Sequence, residues 1–274
     1  MRQDLGRLGE NSANRFLQDF TKEGSTNLTA LNPMSRPPDL ELSLVVPTYN
    51  ERENIQDLLC RLERVLADRA YEIIVVDDDS PDRTWELVED LRSRFPRVKV
   101  ERRREEKGLA QSILTGFRLA KGGVLGCMDA DGSHPTEAIP DLLAAIENGS
   151  DMAVGSRYTK GGSISGWPAH RLFLSRTATA LTRYALRLPI RDPMSGFYFV
   201  RREVFERAGA NANSRGYKVL PELYIKGHPT RVAEVPIHFQ NRRLGESKLT
   251  VRVLYRDATS VLGLIKLQFA ERAK

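Results

Sequence analysis

Four short apolar runs, each delivering the chain into a polar or acidic turn, constrain this fold more than any other feature. Leu42–Pro47 (LSLVVP) leads into Thr48-Tyr49-Asn50-Glu51, and Tyr71–Val76 (YEIIVV) into Asp77-Asp78-Asp79. Val124–Met128 leads into Asp129-Ala130-Asp131, where Gly132 and Pro135 stop it, and Met152–Gly155 into Ser156-Arg157-Tyr158. Runs this short and this uniformly apolar suit strands covered on both faces. Between them the spacing turns helical, at Ile55, Leu58, Leu59, Leu62 and Leu66, and again at Leu109, Ile113, Phe117 and Ala120. Helices are also expected over Thr84–Phe95 and Thr136–Glu147, with Gly149 as a cap, and a weaker strand over Val98–Glu101. Strand and helix alternating through short loops predict an α/β protein, a doubly wound, mostly parallel, Rossmann-like sheet with amphipathic helices around it. Ligands of such sheets bind outside the carboxyl ends of the strands, so the acidic turns and Arg157 should converge on one crevice.

After Tyr158 the rhythm breaks. Lys160–Pro168 (KGGSISGWP) reads as a flexible, glycine-rich loop long enough to act as a lid, and His170–Arg187 as a helix carrying both apolar and basic residues. Tyr198–Val200 is expected as an edge strand, Lys218–Lys226 as a helix and Thr230–Pro236 as a last short strand. Gln240–Lys248 is a polar loop. The organisation expected is a flexible arm over 1–40, one domain over 41–250, and an amphipathic helix over 251–274. That helix puts Val251, Leu254, Tyr255, Ala258, Val261, Leu262, Ile265 and Phe269 on one face. Packing on the sheet and lying on an anionic membrane both remain open for it. The arm has no signal-peptide core, and no run approaches the roughly 18 apolar residues of a membrane span.

A net charge of +6, from 42 basic and 36 acidic residues, favours anionic partners. No nucleic-acid-binding motif accompanies it, so no nucleic acid is expected. Cys60 and Cys127 are too few for a disulfide framework or a zinc site.

Asp129 and Asp131, one residue apart at a strand end, can hold a hard divalent cation, which brings phosphate oxygens with it. The bland reading is a helix cap or solvated turn. DADGS also fits a phosphatase loop whose first Asp is a nucleophile. Pro140 stands where an EF-hand needs its bidentate Glu, and neither a P-loop nor G-x-G-x-x-G is present. Tyr49 can stack on a base, and Glu51 and Asp78 can accept from a base edge or a ribose. Arg157, Arg171, Arg242 and Lys248 make up a cationic side, with Arg171 and Ser175 as i,i+4 neighbours able to face one anionic group.

PTYNERENI (47–55), VVDDDSPDRT (75–84), MDADGSHP (128–135), GSRY (155–158), DPMSGF (192–197) and GESKL (245–249) stand in the order, and over the span of about 42–250, found in the dolichol-phosphate mannose synthases. The chain resembles that group of family 2 glycosyltransferases, which implies a GT-A fold. It also implies transfer of mannose from GDP-mannose to polyprenyl (dolichyl) phosphate by a peripheral protein on the cytosolic face of a membrane. Carried over by position, Pro47, Tyr49, Glu51, Val76 and Asp78 would contact the nucleotide. Asp129, Ala130 and Asp131 would hold ribose, diphosphate and a Mg²⁺ or Mn²⁺ ion, with Asp131 the firmest metal ligand. Arg157, Arg242 and Lys248 would bind the sugar nucleotide or the acceptor phosphate, and Asp131, Arg157 and Arg242 form the implied catalytic set. Arg171 and Ser175 would receive the lipid phosphate. Ser133 stands where some relatives carry a Gln metal ligand, and is a poorer one. Many relatives also carry membrane helices beyond the catalytic domain. This chain, ending at Lys274, is expected to be anchored by its amphipathic helices or by a membrane-anchoring partner protein.

An acceptor phosphate is already anionic and needs little general-base help, in keeping with the absence of an obvious catalytic histidine: His134, His170, His228 and His238 read as incidental. In-line attack would invert the anomeric carbon. Three rivals stay open: a sister enzyme using a UDP-sugar (glucose or N-acetylglucosamine), a DADGS phosphatase, and a non-catalytic nucleotide-binding adaptor.

Overall fold

The computed structural model describes residues 41–209 and 219–241, together with Ile265. The strands are β1 (Leu42–Thr48), β2 (Tyr71–Asp77), β3 (Val98–Arg102), β4 (Val124–Cys127), β5 (Met152–Ser156), β6 (Ser163–Ile164), β7 (Tyr198–Arg201), β8 (Val232–Pro236) and β9 (His238–Phe239). Seven of them form one sheet in the order β3-β2-β1-β4-β7-β5-β8, and β6 and β9 form a separate parallel pair. Within the large sheet only β7 runs against its neighbours.

The two-residue period of the strands sorts the core into two layers. Leu42, Leu44 and Val46 of β1 join Ile73 and Val75 of β2 on one face, while Val45 joins Ile74 and Val76 on the other. The first layer is closed by α1 (Arg52–Val65), α2 (Thr84–Asp90) and, beyond α3 (Leu109–Leu119), α4 (Ile139–Glu147). Ile55, Leu58, Leu59 and Leu62 of α1 are all fully buried at i, i+3, i+4 and i+7. Each such side chain contributes about 1.5–3 kcal/mol of burial, so Leu62→Ala alone should cost about 2–5 kcal/mol. The second layer is closed by α3 and, after α5 (Ala169–Ala185), by α6 (Arg202–Ala208) and α7 (Val219–Gly227). Gly116 lets α3 lie directly on Val45, where an added methyl would overlap a stiff β-branched side chain.

The expected α/β architecture is therefore present, with four local differences. Tyr198–Val200 is not an edge: β7 is inserted between β4 and β5, with Phe199 in one layer and Tyr198 and Val200 in the other. Three residues are too short a run to reveal that both faces are covered. The glycine-rich loop contains β6, which pairs Ser163 with His238 and Ile164 with Phe239 and so pins the middle of the expected lid. The helix expected over Thr136–Glu147 begins as a 3-10 turn, Thr136–Ala138, and becomes α-helical with Pro140 in its first turn, where no amide donor is needed. Helix α6 follows β7 without a break and was not expected.

The arm over 1–40 and, Ile265 apart, the 251–274 segment lie outside the described residues. Ile265 is helical and packs against Leu186, Leu188 and Ile225. Among the described residues no helix is long and apolar enough to cross a membrane.

Candidate active site

Strands β1 and β2 end side by side, with Pro47 paired to Val76 and Thr48 to Asp77. Asp77 ties the two exits together. Its Oδ2 accepts from the Thr48 hydroxyl (2.7 Å) and the Ser80 hydroxyl (2.6 Å), its Oδ1 accepts from the Ser80 N–H (2.8 Å), and Ser80 Oγ in turn accepts from the Asn50 N–H (3.0 Å). With its acceptor capacity spent inside the chain, Asp77 holds the turns that present its neighbours. Tyr49 is exposed at this mouth, while Pro47 and Val76 are buried in their strands. Glu51 is buried; its N–H donates to Thr84 Oγ1 (3.0 Å), and its carboxylate accepts from Asn54 (2.8 Å).

Asp78 is held more tightly still. Oδ1 accepts from Arg103 (2.7 Å) and the Ser112 hydroxyl (2.7 Å), and Oδ2 from the Gly108 N–H (2.6 Å). Arg103 is itself buried, and its other edge donates to the Glu106 carbonyl. The carboxylate is thus fixed in direction, the condition for reading a ligand's donors without reorganisation.

The turn after β4 carries the paired carboxylates. Gly132, at φ 73°, makes the left-handed bend that ends it. Asp131 is buried, with Oδ1 accepting from both the N–H (3.0 Å) and the hydroxyl (2.6 Å) of Ser133. The Asp129 side chain keeps 34% of its surface exposed, and its backbone N–H donates to His134 Nδ1 (3.2 Å). His134 is buried, stacked on Phe197 with centroids 5.2 Å apart and edge-on to Phe239 at 5.4 Å. Burial pushes its pKa down despite the pull of Asp129 and Asp131, so it is neutral, a backbone acceptor that props the acidic turn. Two carboxylates with the Ser133 hydroxyl form an all-oxygen donor set of the kind Mg²⁺ or Mn²⁺ takes. Among the described residues no group of three or more His, Cys, Asp and Glu gathers around a common point. The set therefore fits a cation that shares its remaining positions with substrate phosphates and water. Burial, with Asp129 adding to it, pushes the Cys127 thiol well up, which rules it out as a nucleophile at neutral pH.

Across the crevice the cations are organised differently from the expectation of free phosphate clamps. The Arg157 side chain is 9% exposed, and its Nε (2.7 Å) and Nη2 (2.8 Å) grip the two oxygens of the fully buried Asp192, whose Oδ2 also accepts the Arg157 N–H (3.0 Å). Burial opposes the guanidinium's charge, but the Asp192 bonds outweigh it and raise the pKa. Tyr158 and Phe239 flank it at 5.3 Å each. Among the described residues, Asp192 engages Nε and Nη2 and no hydrogen-bond partner is seen at Nη1. Arg171 lies over Trp167 at 4.1 Å, and Ser175 Oγ is 2.9 Å from the Tyr158 hydroxyl, so the two belong to one wall on α5. Arg242 and Lys248 lie outside the described residues.

Reading the sequence missed Asp192, His134 and Arg103 as parts of the site. Asp192 opens DPMSGF and His134 sits in DGSHP, so the motifs held the signal while their individual roles did not show. Gly196 belongs to the same turn: a side chain there would press on the Asp129 carboxylate at 3.1 Å.

A twisted, doubly wound sheet with carboxylates at the ends of β1, β2 and β4, and one antiparallel strand inserted beyond them, defines the GT-A class of glycosyltransferase fold. Solved structures agree on the fold. Glucosyl-3-phosphoglycerate synthase from Mycobacterium tuberculosis, in complex with Mn²⁺, UDP-glucose and phosphoglyceric acid, superposes with a TM-score of 0.62 at 19% identity, covering 83% of this chain and 80% of that one. Mannosyl-3-phosphoglycerate synthase from Rubrobacter xylanophilus gives 0.59 at 18% identity over 85% and 75%. Residues 43–209 match the family model of glycosyl transferase family 2. The chain belongs to that family, in the group whose curated members are named dolichol-phosphate mannosyltransferase. It is 47% identical over 229 residues to the Pyrococcus furiosus member, covering 83% of this chain and 64% of the relative. It thus spans just under two-thirds of that protein's length. The polyprenol monophosphomannose synthase of Mycolicibacterium smegmatis is 40% identical over 80% of this chain and 84% of its own.

Proposed function

We propose that the protein transfers mannose from GDP-mannose to the phosphate of a polyprenyl (dolichyl) phosphate, on the cytosolic face of a membrane, with inversion at the anomeric carbon and dependence on Mg²⁺ or Mn²⁺. The observation that carries this reading is the Asp129-Ala130-Asp131 turn, at the carboxyl end of β4 beside the β1 exit that bears Tyr49 and Glu51. The names of the relatives supply the sugar and the lipid. Tyr49 stacks on the base, Glu51 and the locked Asp78 accept from base or ribose, and Pro47, Val76 and Ala130 shape the walls. Asp129 and Asp131, with Ser133, hold the divalent cation, whose charge stabilises the departing diphosphate. A cation of this kind accompanies the donor in the M. tuberculosis structure.

The acceptor phosphate is its own nucleophile, so the protein's work is to align two anions and neutralise them. Arg171 and Ser175 receive the lipid phosphate. Arg157, kept charged and aimed by Asp192, stands beside them, and Arg242 and Lys248 complete the cationic side. No group is required to take up a proton, in keeping with a neutral His134 spent on the Asp129 N–H.

The test offers radiolabelled GDP-mannose, UDP-glucose and UDP-N-acetylglucosamine in parallel, with polyprenyl phosphate and either cation, and follows label into lipid. GDP-mannose is expected to label the lipid, giving a β-linked product. Label arriving from a UDP-sugar, phosphate release without transfer, or an intact donor would overturn the reading, and an α-linked product would overturn inversion.

A further inference from the structure

The short strand β9 touches both halves of the site. On one side the Gln240 N–H donates to the Ser133 carbonyl (3.1 Å), in the turn that carries Asp129 and Asp131. On the other the Phe239 carbonyl accepts the Ser165 N–H (2.9 Å), and Phe239 pairs with Ile164 of β6. One residue of main chain therefore ties the acidic turn to the glycine-rich loop that leads into α5. The Phe239 side chain repeats the bridge. Its ring meets His134 edge-on at 5.4 Å, and His134 accepts the Asp129 N–H. It also meets the Trp167 indole at 5.5 Å with the ring planes at 77°, and Arg171 lies over that indole at 4.1 Å. The Arg157 guanidinium lies over the phenyl ring itself at 5.3 Å. A row His134–Phe239–Trp167–Arg171 thus runs from the paired carboxylates to the acceptor-side cation. The Trp167 Nε1 is buried and, among the described residues, has no hydrogen-bond partner, so ring contacts are what fix where the indole lies. Edge-to-face pairs fix distance and angle together, which aliphatic packing does not.

We infer that Phe239 is a positioning residue for transfer: acting through His134 and Trp167, it sets the separation between the donor diphosphate at the Asp129–Asp131 turn and the acceptor phosphate at Arg171. The inference deepens the proposed function and rests on it for what stands at the two ends of the row. A reaction whose nucleophile arrives already ionised depends chiefly on alignment, and a misplacement of about 1 Å costs about 100-fold in rate. The main chain alone is a weak tie, since β6 and β9 pair over only two residues each. Phe239 adds a rigid ring between the two anion-holding groups, in contact with both of their supports. A phenyl that merely filled space would be replaceable by leucine without cost to alignment.

The test compares Phe239→Leu, which keeps an apolar side chain and loses the ring, with Phe239→Tyr, which keeps the ring. Transfer of labelled mannose from GDP-mannose to polyprenyl phosphate is expressed per GDP-binding site, and free mannose is counted beside it. Free mannose arises when water attacks the anomeric carbon, its C–O bond forming as the bond to GDP breaks and a proton passing to solvent. Phe239→Leu should lower kcat by roughly 10–100-fold and raise the share of free mannose several-fold. Both KM values should stay within about three-fold of wild type, and Phe239→Tyr should keep kcat within the same margin. An unfolded fraction binds no GDP and leaves the free-mannose share where it was. Trp167→Leu should act as Phe239→Leu does, and the double variant should lose far less than the product of the two, because both break one row. Wild-type kcat per binding site in Phe239→Leu would overturn the inference. So would a loss confined to the acceptor KM, or losses that multiply in the double variant. A readout without turnover separates this inference from the proposed function. In a Trp85→Phe background Trp167 is the one tryptophan left, and GDP with Mg²⁺ is expected to shift its emission. Phe239→Leu should still bind GDP and lose that shift. A shift that survives Phe239→Leu, or no shift with Phe239 in place, would overturn the inference. If the protein transfers no mannose from GDP-mannose yet shows the shift and its loss, the proposed function fails and this inference stands.

Discussion

At the amino ends of β1 and β2, Glu72 is buried with both oxygens spent. Oε1 accepts from Ser43 (2.6 Å) and the Lys121 N–H (2.7 Å), Oε2 accepts from Lys99 (2.6 Å), and Ser43 Oγ takes the Gly122 N–H (2.7 Å). At the carboxyl ends of the same sheet Glu51, Asp77, Asp78 and Asp131 are buried too, and only some of the acids there are spent. Asp77 is consumed by Thr48 and Ser80, whereas Asp129 keeps a third of its side chain open. A buried acid is therefore no mark of a site. What marks the proposed functional end is acceptor capacity left over after the chain has satisfied itself, at the end of the sheet where loops can rearrange around a ligand.

The variant that breaks this contrast most forcefully is Asp192→Ala. It leaves the Arg157 side chain charged, mostly buried and unpaired, at a cost of about 3–5 kcal/mol of folding stability. Denaturant titration should show it, and Asp192→Asn, which keeps the volume but not the charge, should fall between the two. If Asp192→Ala unfolds at the wild-type midpoint, the Arg157 grip is not the rigid support described. Next in size is Asp131→Ala. Removing it from the proposed cation set should lower transfer by about 10²–10³-fold, or about 3–4 kcal/mol of barrier. The unfolding midpoint should shift less than for Asp192→Ala, because the change leaves the Ser133 N–H and hydroxyl without Asp131, at about 1–3 kcal/mol, and strands no buried charge. Transfer within a few-fold of wild type would remove the turn from the chemistry.

The contrast between the two ends also explains what could be read from residue order alone. β1, β2 and the helix between them announce themselves because period and burial agree: α1 needs only Ile55, Leu58, Leu59 and Leu62 to be recognised. The acidic turns were legible because each follows an apolar run. β7 was misjudged because Tyr198–Val200 is too short to show a period, and its place between β4 and β5 depends on a non-local pairing. Arg157 is expected from the sequence as a phosphate-binding residue, but its commitment to Asp192 is not legible there, since the two lie 35 residues apart and meet only through the β5–β7 pairing. His134 reads as an ordinary histidine until the fold brings its Nδ1 to the Asp129 N–H.

Asp78 sharpens the comparison from the middle, since it is nearly as spent as Glu72 and yet stands at the functional end. In Asp78→Asn one oxygen becomes an amide nitrogen that must face the Gly108 N–H or the Arg103 fork. That should cost about 1–3 kcal/mol of stability. If the locked carboxylate reads the donor's base or ribose, the KM for GDP-mannose should rise while kcat changes little, the signature of lost uniform binding. A falling kcat at unchanged KM would move Asp78 from recognition to chemistry.

The smallest effect is expected at the closed end, and it is the control for the rest. Burial alone would raise the pKa of Glu72, but the hydrogen bonds from Lys99, Ser43 and the Lys121 N–H bring it below the ordinary 4.5. A carboxylate whose folded pKa is depressed stabilises the fold above its unfolded value, and loses that contribution as pH falls through 4.5 toward the folded value. Glu72→Gln should therefore cost about 1 kcal/mol at neutral pH, with Lys99 half-exposed and partly screened, and should make unfolding less steeply dependent on acid than in the wild type. Urea titrations on either side of pH 4.5 read the difference. Transfer by the folded variant should match the wild type, because nothing Glu72 touches reaches the carboxyl ends of the strands. If Glu72→Gln instead slowed transfer as Asp131→Ala does, the two ends of the sheet would not be doing different work, and leftover acceptor capacity would lose its meaning as the sign of the site.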